Sequence, residues 1–187
     1  MSNQANKSEM LPLKLTIIVT AVVLMLALVN ELTYKTIAEN AAAKSNSARQ
    51  ELFVDSTGFT PVNFELTDEE SKTVSEIYSA AGAGEDILGY CLNVTCSGFG
   101  GDIVLIVGVD LDGSVTGVQL ISHSETPGIG AVAVAEDGEL LPQFTDATSS
   151  NVEGVVAVSG ATVSSNAVKD GIAKALAVAE RLLKEGY

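Results

Sequence analysis

The chain has 187 residues, 24 of them acidic and 10 basic, for a formal net charge of −14. Without a basic patch to displace counterions from phosphates, nucleic acid is excluded as a partner. The two cysteines and the single histidine fall in no metal-ligand spacing, so no metal centre is expected.

Residues 1–10 read as a polar tail. Residues 11–32 are almost entirely apolar, and 15–29 carry no charge. A membrane-spanning helix needs roughly 20 apolar residues, which this run supplies if Lys14 snorkels to the interface. A cleaved signal peptide and a buried core helix are the alternatives. No small-x-small cleavage site follows, and the sequence stays helical in character through Tyr34, so a retained transmembrane helix over 11–33 is expected. Lys7 and Lys14 before the uncharged stretch 15–29, against Glu31, Glu39 and Glu51 after it, place the N-terminus in the cytoplasm and the remainder outside, a bias diluted by Lys35, Lys44 and Arg49. Residues 34–52, rich in Ala, Glu, Lys and Arg, read as a helical stalk, and 53–187 as the folded domain.

Thr67-Asp68-Glu69-Glu70 has the capping-box pattern, and Val74, Ile77, Tyr78 and Ala81 follow at spacings that predict a helix ending at Gly82. Strands are predicted over 87–96, 102–110 and 114–122, with Asp112-Gly113 marking a hairpin between the last two. Ile103–Val107 is apolar at every position, so that strand should be covered on both faces. Cys91 and Cys96, five apart on one strand, should point to opposite faces and form no disulfide. The sum is an α+β domain, helices packed on an antiparallel or mixed sheet. Glu136-Asp137-Gly138-Glu139 reads as an acidic turn, and Leu140, Leu141 and Phe144 as core.

Three loops hold the candidate chemistry. Ser97-Gly98-Phe99-Gly100-Gly101 could bring backbone close to a planar ligand, or be only a flexible turn. Residues 122–130 gather the lone His123, the carboxyl of Glu125, three hydroxyls, and a Pro127-Gly128 pair that suggests a type II turn. Ser159-Gly160-Ala161-Thr162-Val163-Ser164-Ser165 lies between the β-branched run 155–158, read as a strand, and a helix beginning near Ser164, whose apolar face is Val168, Ile172, Leu176, Ala179 and Leu183. Such a turn accommodates either a plain Ser/Thr cap or a bound phosphate.

Taken in order, Gly98-Phe99-Gly100-Gly101, Val107-Gly108-Val109-Asp110, Asp112-Gly113, Gly117-Val118, the 122–130 loop and Ser159–Ser165 resemble the FMN-binding domain of the G subunit of the Rnf electron-transport complex. They are also similar to its relative, the C subunit of the sodium-translocating NADH:quinone oxidoreductase. The resemblance covers nearly the whole chain. It implies covalent FMN, joined to Thr162 by a phosphoester that a separate flavin transferase makes, with Ser164 and Ser165 as fallback acceptors. It implies a cofactor site of Ser159, Gly160, Ala161, Thr162, Val163, Ser164 and Ser165, with the ring covered by Phe99, Gly100, His123, Glu125, Thr126, Pro127 and Gly128. The family often has an acidic residue three positions before the first Ser/Thr of the motif, where this sequence has Val156. The function implied is that of a redox subunit in a membrane-bound, ion-translocating ferredoxin:NAD+ oxidoreductase, without independent turnover. Its partners would be the other subunits, the transferase and membrane lipid. The quinone-reductase subunit, and an anchored binding protein whose flavin site has lapsed, are the rival readings.

Overall fold

The computed structural model describes residues 5–84, 86–135 and 138–187. It divides into two compact units, Met1–Ala43 and Lys44–Tyr187. Helix α1 (Ala5–Leu52) is already formed at residues 5–10, expected to be a loose polar tail, and it carries Pro12 in its first turns. Lys14–Leu52 is long and apolar enough to cross a membrane. Its apolar side chains from Leu15 to Leu32 are exposed, against the alternative of a core helix. No break in the helix marks the change from apolar run to stalk.

In the second unit five strands form one sheet: β1 (Gly58–Pro61), β2 (Val74–Ala81), β3 (Ile87–Ser97), β4 (Asp102–Asp110) and β5 (Val115–His123). They lie in sequence order and every neighbouring pair is antiparallel. The three strands predicted from sequence are present, each within a residue or so of its expected ends. In the last hairpin Asp110, not Asp112, organises the turn: its Oδ1 accepts the amides of Asp112 (3.0 Å) and Ser114 (2.8 Å), while Gly113 takes φ +81°.

The predicted helix after Thr67 is a strand. The capping box does form, with the Thr67 amide donating to Glu70 Oε2 at 2.8 Å and the Glu70 amide to Thr67 Oγ1 at 3.4 Å. It opens only a single 3-10 turn, Glu70–Lys72, before β2 begins. A register irregularity between Val74 and Glu76 explains the misleading pattern. It puts Val74 and Ile77 on one face of the sheet although they are three apart, and leaves Tyr78 and Ala80 on the other. A bulged strand thus imitates helical spacing. Strand β1 had no signal beyond its Gly and Pro punctuation.

Helix α3 (Thr162–Glu185) crosses one face of the sheet. Its buried Val168, Ile172, Ala175, Leu176, Ala179 and Leu182 pack with Tyr90, Leu92, Val94, Ile103, Leu105 and Val107. Each fully buried Val, Ile or Leu here contributes about 1.5–3 kcal/mol relative to exposure. Leu182 takes the last core position and Leu183, expected there, is only partly buried. The opposite face is covered by Ala48 and Phe53, against Ala80, Cys91 and Ile106, so β4 is covered on both sides as its sequence requires. Between β5 and α3 lie the short helix α2 (Ala131–Val134) and 3-10 turns at Leu141–Phe144 and Val152–Gly154. Leu140, Leu141 and Phe144 are core, while Glu136 and Asp137 of the acidic turn lie outside the described residues.

Cys91 and Cys96 are free, and sit in the two opposite clusters. Burial pushes each thiol up to about 12, so at neutral pH neither offers a thiolate. Maleimide treatment of the folded domain is expected to add nothing and of the urea-unfolded domain to add two labels; labelling of the folded domain would contradict the packing.

Candidate functional site

Residues 155–158 belong to no strand, which corrects the strand reading. Their backbone is held by side chains instead. Gln143 accepts from the Val156 amide (3.0 Å) and donates to its carbonyl (3.3 Å). The Val158 amide donates to Ser165 Oγ at 3.1 Å, and that hydroxyl donates to the Ala161 carbonyl at 2.9 Å. Gly160, at φ +83°, turns the chain, and α3 starts at Thr162, two residues earlier than expected. Ala161 occupies the cap position and no side chain caps the helix. The first-turn amides, lacking partners four residues back, therefore face outward with the positive end of the helix dipole.

The four hydroxyls of this turn divide sharply. Ser164 and Ser165 are each 1% exposed and both are engaged in hydrogen bonds. Ser159 and Thr162 are exposed. Of these two only Thr162 lines a cleft of about 230 Å³, whose walls are Phe99 and Ile129 on one side and residues 160–164 on the other. Phe99, Ile129 and Val163 are exposed apolar side chains, giving the cleft greasy walls and a hydroxyl at its rim.

Glu125, 5% exposed, ties the three loops together from behind. Its Oε1 accepts from the Phe99 amide (2.8 Å) and from Ser164 Oγ (2.9 Å), and its Oε2 from the Gly100 amide (3.0 Å). The glycines here make room for that carboxyl and its loop. A Cβ at Gly98 would lie 1.7 Å from Oε1, one at Gly130 1.8 Å from Oε2, and one at Gly100 2.8 Å from the Thr126 amide nitrogen. Burial works to raise the Glu125 pKa, but the Gly100 amide, the Ser164 hydroxyl and the amides of Phe99 and Thr126 outweigh it and hold it below the ordinary carboxylate range. A folded-state value below the unfolded one gives stability that is full above the unfolded pKa and is lost as pH falls through the folded one. Glu125→Gln should therefore show a shallower loss of urea stability on acidification than the wild type; equal slopes would count against an ionised Glu125.

His123 is exposed and its Nδ1 accepts the Glu125 amide at 3.2 Å, so it shapes the loop and does not line the cleft. Thr126, Pro127, Gly128 and Ile129 form a turn in which the Ile129 amide donates to the Thr126 carbonyl at 3.2 Å. Gly128 is at φ +77°, as a type II turn requires. The fold thus gathers Phe99, Gly160, Ala161, Thr162, Val163 and Ser164 at one cleft. Glu125, Gly100 and Ser165 stand behind it, and Ser159, His123, Thr126, Pro127 and Gly128 lie off its walls. Ile129 was missed. Its one signal is a bulky apolar residue stranded in a Gly-Ile-Gly turn.

The chain matches the FMN-binding domain family over residues 98–177, a span that contains the three loops except Ser97. It is 32% identical over 140 residues to the G subunit of an ion-translocating oxidoreductase complex of Methanosarcina acetivorans, covering 72% of this chain and 74% of that one. It is 30% identical over 180 residues to the G subunit of the Na(+)-translocating ferredoxin:NAD(+) oxidoreductase complex of Acetobacterium woodii, covering 85% of each. It is also similar to the corresponding subunit of a proton-translocating complex of Clostridium ljungdahlii, 36% identical over 104 residues, 52% of this chain and 56% of that one.

Proposed function

Since the chain belongs to the family of G subunits of ion-translocating oxidoreductase complexes, we propose that it is the electron-transfer subunit of a Rnf-type ferredoxin:NAD+ oxidoreductase, carrying FMN esterified through its phosphate to Thr162. The observation that carries the attachment is the division of hydroxyls: Thr162 alone among those lining the cleft is exposed and free of hydrogen bonds among the described residues. The residues present fit the group. A phosphate at Thr162 sits at the first position of α3, where outward amides and the helix dipole offset its charge without Lys or Arg. The side chains of Phe99, Ile129 and Val163 offer an apolar bed for the ring.

Bound FMN supplies the electron chemistry. The chain's own share is to hold the ring between apolar walls that keep water from one side, and to fix those walls through Glu125. It also holds the group on a membrane-anchored domain from which it cannot diffuse. A flavin transferase makes the ester and reaches a turn whose backbone is already fixed by Gln143 and Ser165. Val156, where the family often has an acid, is exposed, so the transferase meets an apolar side chain there. The apolar part of α1 crosses the lipid with its N-terminus in the cytoplasm and the flavin domain on the other side.

Membranes holding the complex with the wild-type chain should reduce NAD+ at the expense of reduced ferredoxin. Those holding Thr162→Ala, with the complex still assembled on a native gel, should not. Undiminished activity in Thr162→Ala would sink the reading.

A further inference from the structure

We propose that Glu125 is an electrostatic positioning residue: its carboxylate is a fixed negative charge, held one side chain behind the cleft, that makes the cleft's occupant harder to reduce. This rests on the flavin reading above and goes beyond it. Two of the groups that bind the carboxylate are themselves cleft walls. Ser164 donates to Oε1 at 2.9 Å and Phe99 donates its amide to the same atom at 2.8 Å. The charge therefore lies directly behind the surface the flavin would touch, yet it does not reach that surface.

Three further features make the charge felt. Glu125 is 5% exposed, so solvent and salt screen it poorly. Among the described residues it has no Lys or Arg partner, its neighbours being neutral amides and a hydroxyl, so its field is oriented by dipoles and not cancelled by a cation. The space is also reserved for both oxygens, since a Cβ at Gly98 or Gly130 would lie within 1.8 Å of one of them. Adding an electron to a group near such an anion costs energy by Coulomb's law, and a low local dielectric enlarges the cost. Each electron arrives from outside the chain, and no bond to Glu125 forms or breaks.

The test uses the flavin-loaded full-length protein, titrated spectroelectrochemically with mediators, as wild type, Glu125→Gln and Glu125→Asp. With the solution poised at the wild-type midpoint, Glu125→Gln should hold its flavin several-fold more reduced than oxidised. Glu125→Asp, which keeps the charge, should stay close to equal amounts. A Gln variant matching the wild type overturns the proposal, as does an equal shift in Gln and Asp, which would mark packing and not charge. Should Glu125→Gln yield no loaded protein, the wild type decides by redox-difference infrared spectroscopy. Reduction is expected to shift an ionised-carboxylate band that moves on ¹³C-glutamate labelling, and the absence of such a band overturns the proposal. A wild-type chain that carries no flavin removes the functional reading and this inference together.

Discussion

Thr162→Ala is expected to abolish flavin fluorescence that stays with the polypeptide on a denaturing gel, whereas Ser164→Ala and Ser165→Ala retain it. The physical reason is access. A phosphoryl group is transferred to an oxygen that another protein's active site can reach, and the Ser164 and Ser165 hydroxyls are each in a residue 1% exposed and already committed. Thr162 is exposed at the start of α3 with its hydroxyl at the cleft rim. The two serine variants should cost stability instead. Losing the Ser165 hydroxyl strands the Val158 amide, while the Ala161 carbonyl keeps the Ser165 backbone amide at 2.9 Å, and a buried unsatisfied group costs about 1–3 kcal/mol. Fluorescence that survives Thr162→Ala and disappears in Ser164→Ala would place the bond on the wrong residue.

Gly171→Ala is expected to destabilise the domain by about 2 kcal/mol, within the range for overpacking a core, measured by urea unfolding. Gly171 lies on the buried face of α3, and a Cβ there would fall 2.2 Å from Cys96 Sγ and 3.2 Å from Val94 Cγ1 on β3. Alanine gains about 1 kcal/mol in helix propensity over glycine, which offsets only part of the clash. Removing the sulfur supplies the control: Gly171→Ala combined with Cys96→Ala should recover much of the loss relative to Cys96→Ala alone. The contact reaches the site because α3 is a single rigid element. A helix lifted off β3 at Gly171 displaces Thr162, about two and a half turns away. A Gly171→Ala protein at least as stable as the wild type would show that the helix is not seated on the sheet as described.

The sequence was most legible where one residue type had one physical use. The uninterrupted apolar run of β4 announced burial on both faces, and the odd separation of Cys91 and Cys96 put the thiols on opposite sides of the sheet. It misled where an irregularity changed the period. The bulge at Val74 and Glu76 lent β2 a helical spacing, and a genuine capping box before it reinforced the error. At the site, the motif residues were legible from the family resemblance, but their roles were not. Glu125 and His123 look like ligands in a loop; in the fold the first braces the cleft from behind and the second shapes the turn. That distinction depends on contacts between residues 25 and 39 positions apart, which no local pattern encodes. Ser165 likewise reads as a cap or a spare acceptor, while its hydroxyl instead bridges 158 to 161 across the turn.

Attachment of one flavin to one hydroxyl is decided by mass spectrometry of the denatured full-length chain, taken from cells that make the whole complex. The expected result is a single adduct with the mass of FMN less one water, placed by fragmentation on Thr162. A chain of unmodified mass, or an adduct placed on Ser159, Ser164 or Ser165, would contradict it.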